Sequence, residues 1–315
     1  MKTMMTCVPA VLVAVSLGVA GEEQHLYVAE DAGNIYRLAL NGVSTLYAEI
    51  PGPNRGLDMD EDGTLWIFGG GGTLYRVTTG EEEPATVANG RVVKFTDGIR
   101  EPLGMGIDAN GNFWVGEHYH GVVIVDRNTR KKTFIDVGKG GCTYSVERGP
   151  DGLMYVSRQH GNTLFRFRPD GTPLEGTSES PEPYVRGYGN GHRSIVFRSQ
   201  DEFLLIRQPE ISRFKIGGQY LGSFFKWEKA KQEAMTREQF IARGMTHPMD
   251  LAVDAGGTVY SSDQGYSASD GRIGGAVYKY NPDGTRELFF EAKYRINWMT
   301  FWPKTCWKRK QTTGE

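Results

Sequence analysis

Along residues 101–137, EPLGMGIDANGNFWVGEHYHGVVIVDRNTRKKTFIDV, four short apolar runs alternate with polar turns, a pattern that predicts strands over 103–107, 113–115, 122–125 and 133–137. The Asp-Ala-Asn-Gly-Asn segment between the first two is a hairpin signal, because both central positions of a tight turn favour positive φ. One four-stranded antiparallel unit cannot bury its own faces, so the pattern must recur. It does, at 56–79 (GLDMDEDGTLWIFGGGGTLYRVTT), 143–171, 192–216 and 248–284. The sixth copy is split: residues 26–50 carry a second, third and fourth strand without a first, and INWMTFW at 296–302 is a first strand with nothing after it. Joining the two closes a ring. A period of this size with four strands per repeat predicts an all-β, six-bladed β-propeller, closed by pairing the C-terminal strand with the N-terminal blade.

The pattern breaks in three places. The fifth unit has Ser-Gln-Asp-Glu-Phe (199–203) where the others have an Asp-Gly turn. Residues 226–247 are charged, glycine-poor and helical in composition, with Thr236 and Gln239 spaced as a capping box. Residues 178–191, SESPEPYVRGYGNG, are rich in Pro, Gly and Tyr. Both long segments are expected between the fourth strand of one blade and the first of the next, the helical one (about 226–246) as a lid over the channel or as surface ornament.

The strings DEDGTLWI, DANGNFWV, GPDGLMYV and DAGGTVYS, with the repeated Pro-Asp-Gly closings, resemble the six-bladed propeller superfamily of NHL repeats, SMP-30/gluconolactonase-like proteins and streptogramin B lyases. The resemblance covers nearly the whole chain after its first twenty residues, but it lies in turn glycines, turn aspartates and core aromatics. Such residues specify architecture strongly and function weakly.

Antiparallel connectivity alone puts the loop leading into strand one and the loop between strands two and three on the same face. Aligning the units puts Pro53, Glu101, Cys142, His192, His247 and Tyr294 just before the first strands, pointing at one channel mouth. The loops after the second strands add Glu30 and Asp31; Glu117, His118 and His120; Arg158, Gln159 and His160; Arg207 and Gln208; and Asp263 and Gln264. His192 and His247 are expected at equivalent places, each after a long segment on that face. Two neutral imidazoles beside Glu101 or Asp263 would suit Zn²⁺ or another divalent ion with open positions for substrate. Alternatively, an imidazole acts as general base while Arg158 or Arg207 steadies a developing oxyanion. Glu117, His118, His120, Gln159, His160 and Tyr294 are then expected around the substrate. The resemblance implies the same roles, since histidines projecting into the channel serve metal binding or acid/base work in streptogramin lyases and in the peptide-amidating lyases. It also marks a departure: the gluconolactonase pattern needs an early Glu, two Asn and an Asp on one calcium, and no Asn is expected at the channel here. Gly69–Gly72 lacks a following Gly-Lys-Ser/Thr and reads as a tight turn, not a phosphate cradle.

Composition narrows the class. Lys+Arg at 36 against Asp+Glu at 38 leaves a net charge of −2, which points to no nucleic-acid partner. Lys2, the apolar run from Cys7 to Ala20 and the polar boundary at Gly21 read as a cleaved export signal over residues 1–20, which implies a secreted or periplasmic protein with no membrane association after cleavage. The propeller is expected over 21–303 and a basic tail over 304–315. The two cysteines remaining after cleavage, Cys142 and Cys306, are expected at opposite ends of the domain and unpaired. Together these readings describe an exported, monomeric propeller enzyme, metal-assisted, which opens an ester or lactone in a small-molecule substrate as a lyase or hydrolase. The alternative is a non-catalytic, NHL-type protein- or glycan-binding module with Tyr119, Tyr184 and Tyr188 as contacts; a third reading holds a quinone in the channel.

Overall fold

The computed structural model describes residues 23–78, 83–118, 120–138, 141–187, 190–229, 236–245, 247–268 and 271–303. Residues 1–20, expected as an export signal, residues 304–315 with Cys306, Tyr119 and Tyr188 lie outside them. Among the described residues there are six four-stranded antiparallel sheets. Their inner strands, Arg55–Met59, Pro102–Ile107, Thr143–Arg148, Asn190–Phe197, Pro248–Val253 and Ile296–Trp302, each pack against the next around a ring. Ile296–Trp302 pairs antiparallel with His25–Glu30, running from His25 opposite Trp302 to Glu30 opposite Ile296. The ring therefore closes as the sequence predicts.

The repeated motif has a mechanical reason. Asp108 accepts from the amides of Asn110 and Asn112 and from the Trp114 indole at 3.1 Å, so one carboxylate caps the turn and fixes the aromatic of the second strand. Asp60 holds Trp66 at 2.9 Å and Asp151 holds Tyr155 at 2.8 Å in the same way. Gly111 has φ +82, which a β-carbon would strain. The second strands Leu65–Gly69, Phe113–Glu117, Met154–Arg158 and Val259–Asp263 are buried along their whole length, because neighbouring blades cover both of their faces. Three residues of the outer strand Lys132–Ile135 are exposed.

Two expectations about the long segments change. Residues 178–191 do not follow the fourth strand of blade 4; they contain it. Val185–Arg186 pairs with Thr163 and Leu164, and the inner strand of blade 5 already begins at Asn190. The helix does form, as Arg237–Arg243, with the Thr236/Gln239 capping box in place. It is no lid over the channel. Phe240 is fully buried in the core between blades 5 and 6, and Arg286 of the outer strand Arg286–Ala292 donates to Phe240, Ile241 and Gly244 carbonyls. A feature the sequence did not announce is a ribbon, Tyr266–Ala268 with Gly271–Ile273, rising between the second and third strands of blade 6. Cys142 is buried and unbridged, and no disulfide occurs among the described residues.

Candidate active site

A cavity of about 910 Å³ opens at the channel mouth, on the face to which connectivity assigned the loops. Its floor is apolar: Tyr144 donates to the Met249 sulfur at 2.7 Å and its ring lies 5.6 Å from that of Trp298, so inner-strand side chains plug the channel beneath. Burial, partly offset by Arg193, pushes the Tyr144 hydroxyl up to about 12, so it stays a donor. The Gly70–Gly72 turn forms part of the rim.

The chemistry on the wall comes from Glu101 and His118. The His118 amide donates to the Glu101 carbonyl at 3.0 Å, and the His118 Nδ1 lies 3.2 Å from the Glu101 Oε2. Glu101 has φ 42, a left-handed conformation that costs a non-glycine residue about 1 kcal/mol and is met most often where function requires it. His120 lines the same wall. Across the cavity a polar chain links three blades: Gln264 donates to Asn297 at 3.1 Å, Asn297 to Asp31 at 2.7 Å, and Arg55 to Asp31 at 2.7 Å. Asn297 thus stands where no channel asparagine was expected.

The anticipated equivalence of His192 and His247 fails by one residue. His192 pairs with Arg207 inside the inner strand, whereas in blade 6 the residue that pairs with Asp263 is Pro248, one position after His247. A slip of one residue in a strand sends the side chain to the other side. Accordingly His192 is completely buried while His247 is exposed. The same register argument corrects Tyr294. In four blades the residue before the first strand accepts from the residue after the second: Glu101 from His118, Cys142 from Gln159, His247 from Gln264, and in blade 1 Arg295, not Tyr294, from Asp31. Arg295 lines the cavity; Tyr294 lies under Lys293 at 5.2 Å.

Five of the residues expected in loops after the second strands belong to the strands themselves: Glu30, Glu117, Arg158 and Asp263 are last in theirs and Arg207 last but one. Glu30, Glu117 and Asp263 are buried and accept the amides of Tyr294 (2.8 Å), Arg100 (2.9 Å) and His247 (3.1 Å), so each carboxylate holds the chain entering its own inner strand. Arg158 is buried and donates to the Val137 carbonyl at 3.0 Å; burial lowers its pKa. Arg207 is tied to Glu210 and Ser212. Burial opposes the Glu210 charge, but donors from Ser212, Ser223, Arg207 and Tyr220 outweigh it and hold the carboxyl down at about 2. Neither arginine lines the cavity, and Gln159 and the exposed His160 lie outside its lining as well. Glu101, His192, His247 and Asp263 are not gathered around one point: among the described residues no three or more His, Cys, Asp or Glu side chains are grouped to hold a metal ion. His192, buried within its strand, and His247, exposed before its own, do not meet as the sequence suggested. Tyr184, expected as an exposed contact, is half-buried beneath Arg166, whose guanidinium sits 3.7 Å from its ring.

No protein-family model matches this sequence, and no curated protein matches it. Solved structures do. Virginiamycin B lyase from Staphylococcus aureus superposes with a TM-score of 0.55 at 16% identity, covering 87% of this chain and 83% of the lyase. A protein of unknown function from Bacteroides caccae gives 0.59 at 12% identity, covering 89% and 98%, and a putative gluconolactonase gives 0.54 at 15%, covering 77% and 79%. This chain shares their six-bladed propeller fold. At such identities the likeness is one of scaffold, which the Asp-Gly-aromatic turns already carried; the propeller's own side chains decide its chemistry.

Proposed function

We propose that this propeller is an exported enzyme that opens an ester or lactone bond at the channel mouth by acid/base chemistry, as a lyase or hydrolase, with His118 as the general base and Glu101 as its orienting partner. The observation that carries this reading is the His118 Nδ1 to Glu101 Oε2 contact of 3.2 Å on the wall of the 910 Å³ cavity. A carboxylate on Nδ1 fixes the proton there and makes Nε2 the accepting nitrogen, the arrangement a base needs to take a proton from water or from a carbon next to a carbonyl. His120, on the same wall, is placed to return a proton to the leaving oxygen. Arg55 and Arg100 offer donors for charge developing on the carbonyl oxygen. The same fold carries enzymes, a lyase and a putative gluconolactonase among them, which is in keeping with a catalytic propeller.

A panel of p-nitrophenyl esters, aliphatic lactones and cyclic depsipeptides tests it. With any substrate that turns over, His118→Ala should lower kcat by about a hundredfold or more and Glu101→Gln by about tenfold, with thermal unfolding still cooperative in both. Full activity in folded His118→Ala protein would remove this reading.

A further inference from the structure

Most arginines and histidines at the cavity face a carboxylate. Arg55 pairs with Asp31 at 2.7 Å, Arg100 lies 4.0 Å from Glu117, and His118 faces Glu101. Two arginines form no ion pair among the described residues. Arg295 lines the rim with its side chain exposed, and among the described residues no carboxylate lies within ion-pair distance of it. Arg193 stands behind the floor. It is only 7% exposed, its guanidinium carbon lies 5.4 Å from the Tyr144 ring, and Nη1 donates to the Pro248 carbonyl at 2.8 Å with the Met249 sulfur 3.7 Å away. Tyr144 and Met249 are both cavity wall. The Arg193 Nε finds no acceptor among the described residues, and no carboxylate there forms an ion pair with it. A buried guanidinium without a counter-charge is costly to the apo protein and is repaid only by an anion close by.

We propose that the cavity takes an anionic ligand: a small organic molecule with a carboxylate gripped at the rim by Arg295 and held in the field of Arg193 beneath Tyr144. Resting on the reading of the cavity as the reaction site, this makes the substrate an acid-bearing ester or lactone, oriented by its acid group with the bond to be opened toward His118. Arg193 acts through the low-dielectric floor, where a charge is felt more strongly than in water, and Arg295 makes the contact.

The test is equilibrium binding, so that it stands apart from turnover. Acetate, benzoate and phenylacetate, each against its amide, are titrated calorimetrically into wild type, Arg295→Gln, Arg295→Lys, Arg193→Met and His118→Ala. At least one acid should bind about tenfold or more tightly than its amide, a preference worth one charged hydrogen bond. Arg295→Gln and Arg193→Met should abolish that preference, Arg295→Lys should retain part of it, and His118→Ala should leave it in place. Arg193→Met should also unfold no earlier than wild type, whereas a purely blade-bridging role for Arg193 requires that it unfold earlier. Equal binding of acids and amides across the panel overturns the proposal, as does an acid preference that survives Arg295→Gln; Arg295 is exposed, so this arm holds even if the Arg193 variant fails to fold. Loss of turnover in His118→Ala with acid binding intact supports both readings. Acid binding in a protein that turns over nothing leaves the anion site standing and sinks only the chemistry.

Discussion

At the scale of single residues, the inner ring stores one carboxyl that opposes folding at neutral pH. Asp250 is fully buried between blades. Ser194 Oγ donates to it at 2.5 Å, the Met299 amide at 2.8 Å and the Leu251 amide at 2.9 Å, so it ties blades 5, 6 and 1 together. Burial pushes its pKa up to about 6 from 3.8, the three donors pulling it down and the charge of Asp58 adding to the rise. Because the folded value is the higher one, the native state binds the proton more tightly than the unfolded chain. The contribution is fully present below about pH 4 and is lost as pH rises to about 6, an order of 3 kcal/mol for a shift of this size. Asp250→Asn keeps the Ser194 and Leu251 donors on its one oxygen but sets its NH2 against the Met299 amide, a cost that does not change with pH. The variant should therefore gain on wild type by up to about 3 kcal/mol as pH rises from about 4 to 7.5. Urea denaturation across that range checks it; a variant that instead gains on wild type as pH falls would refute the assignment. Residue-level register is also the hardest thing to read in the sequence. Glu101, His118 and His120 stand on the expected face, whereas the burial of His192 is not legible, because a one-residue register difference between blades 5 and 6 is invisible in a string lacking the Asp-Gly turn that fixes phase elsewhere. Arg295 was missed for the same reason. Its one legible signal is its place immediately before the buried run from Ile296.

At the scale of elements, turn chemistry announced itself and short outer strands did not. Each Asp-Gly-aromatic turn makes its own side-chain hydrogen bonds, so its sequence is nearly a statement of its geometry. Val185–Arg186 is a fourth strand of two residues, paired with Thr163 and Leu164 and with only Val185 in the core, and no periodicity can be read in two residues. The helix Arg237–Arg243 lies between these cases. Its capping box predicted its start, yet nothing local said that Phe240 would dock it against blade 6. The docking decides between lid and buttress. Thr236→Ala removes the Gln239 amide's acceptor at 3.2 Å and should cost about 1 kcal/mol in urea denaturation, with kcat unchanged on any substrate. A fall in kcat at unchanged stability would instead make the segment part of the catalytic cycle.

At the scale of the molecule, everything at the channel mouth depends on the ring closing, because Asn297 and Trp298 on the closing strand, and Arg295 before it, meet Arg55, Tyr144 and Gln264 from three other blades. The strand Ile296–Trp302 buries Ile296, Trp298, Met299 and Phe301 in two cores and stands between Pro248–Val253 and Arg55–Met59. At about 2 kcal/mol for each large apolar side chain, removing it forfeits on the order of 8 kcal/mol, as much as the whole stability of many domains, and bares the edge of His25–Glu30. A chain ending at residue 295 should show no cooperative unfolding and elute as aggregate. Order along the chain, however, should not matter, since what stabilises the ring is the pairing. His25 lies opposite Trp302, so the end of the closing strand already adjoins the start of the next. A circular permutant that begins at residue 293, runs through a short linker from 303 to 23 and ends at 292 keeps Arg295 joined to the closing strand and gives the split blade the ordinary strand order of the other five. It should unfold within a few degrees of the parent, keep the acid-over-amide preference and elute as a monomer. If the truncated chain folds cooperatively, the ring does not depend on the closing strand; if the folded permutant loses the anion preference, the site does not lie where Arg295 and that strand meet the cavity.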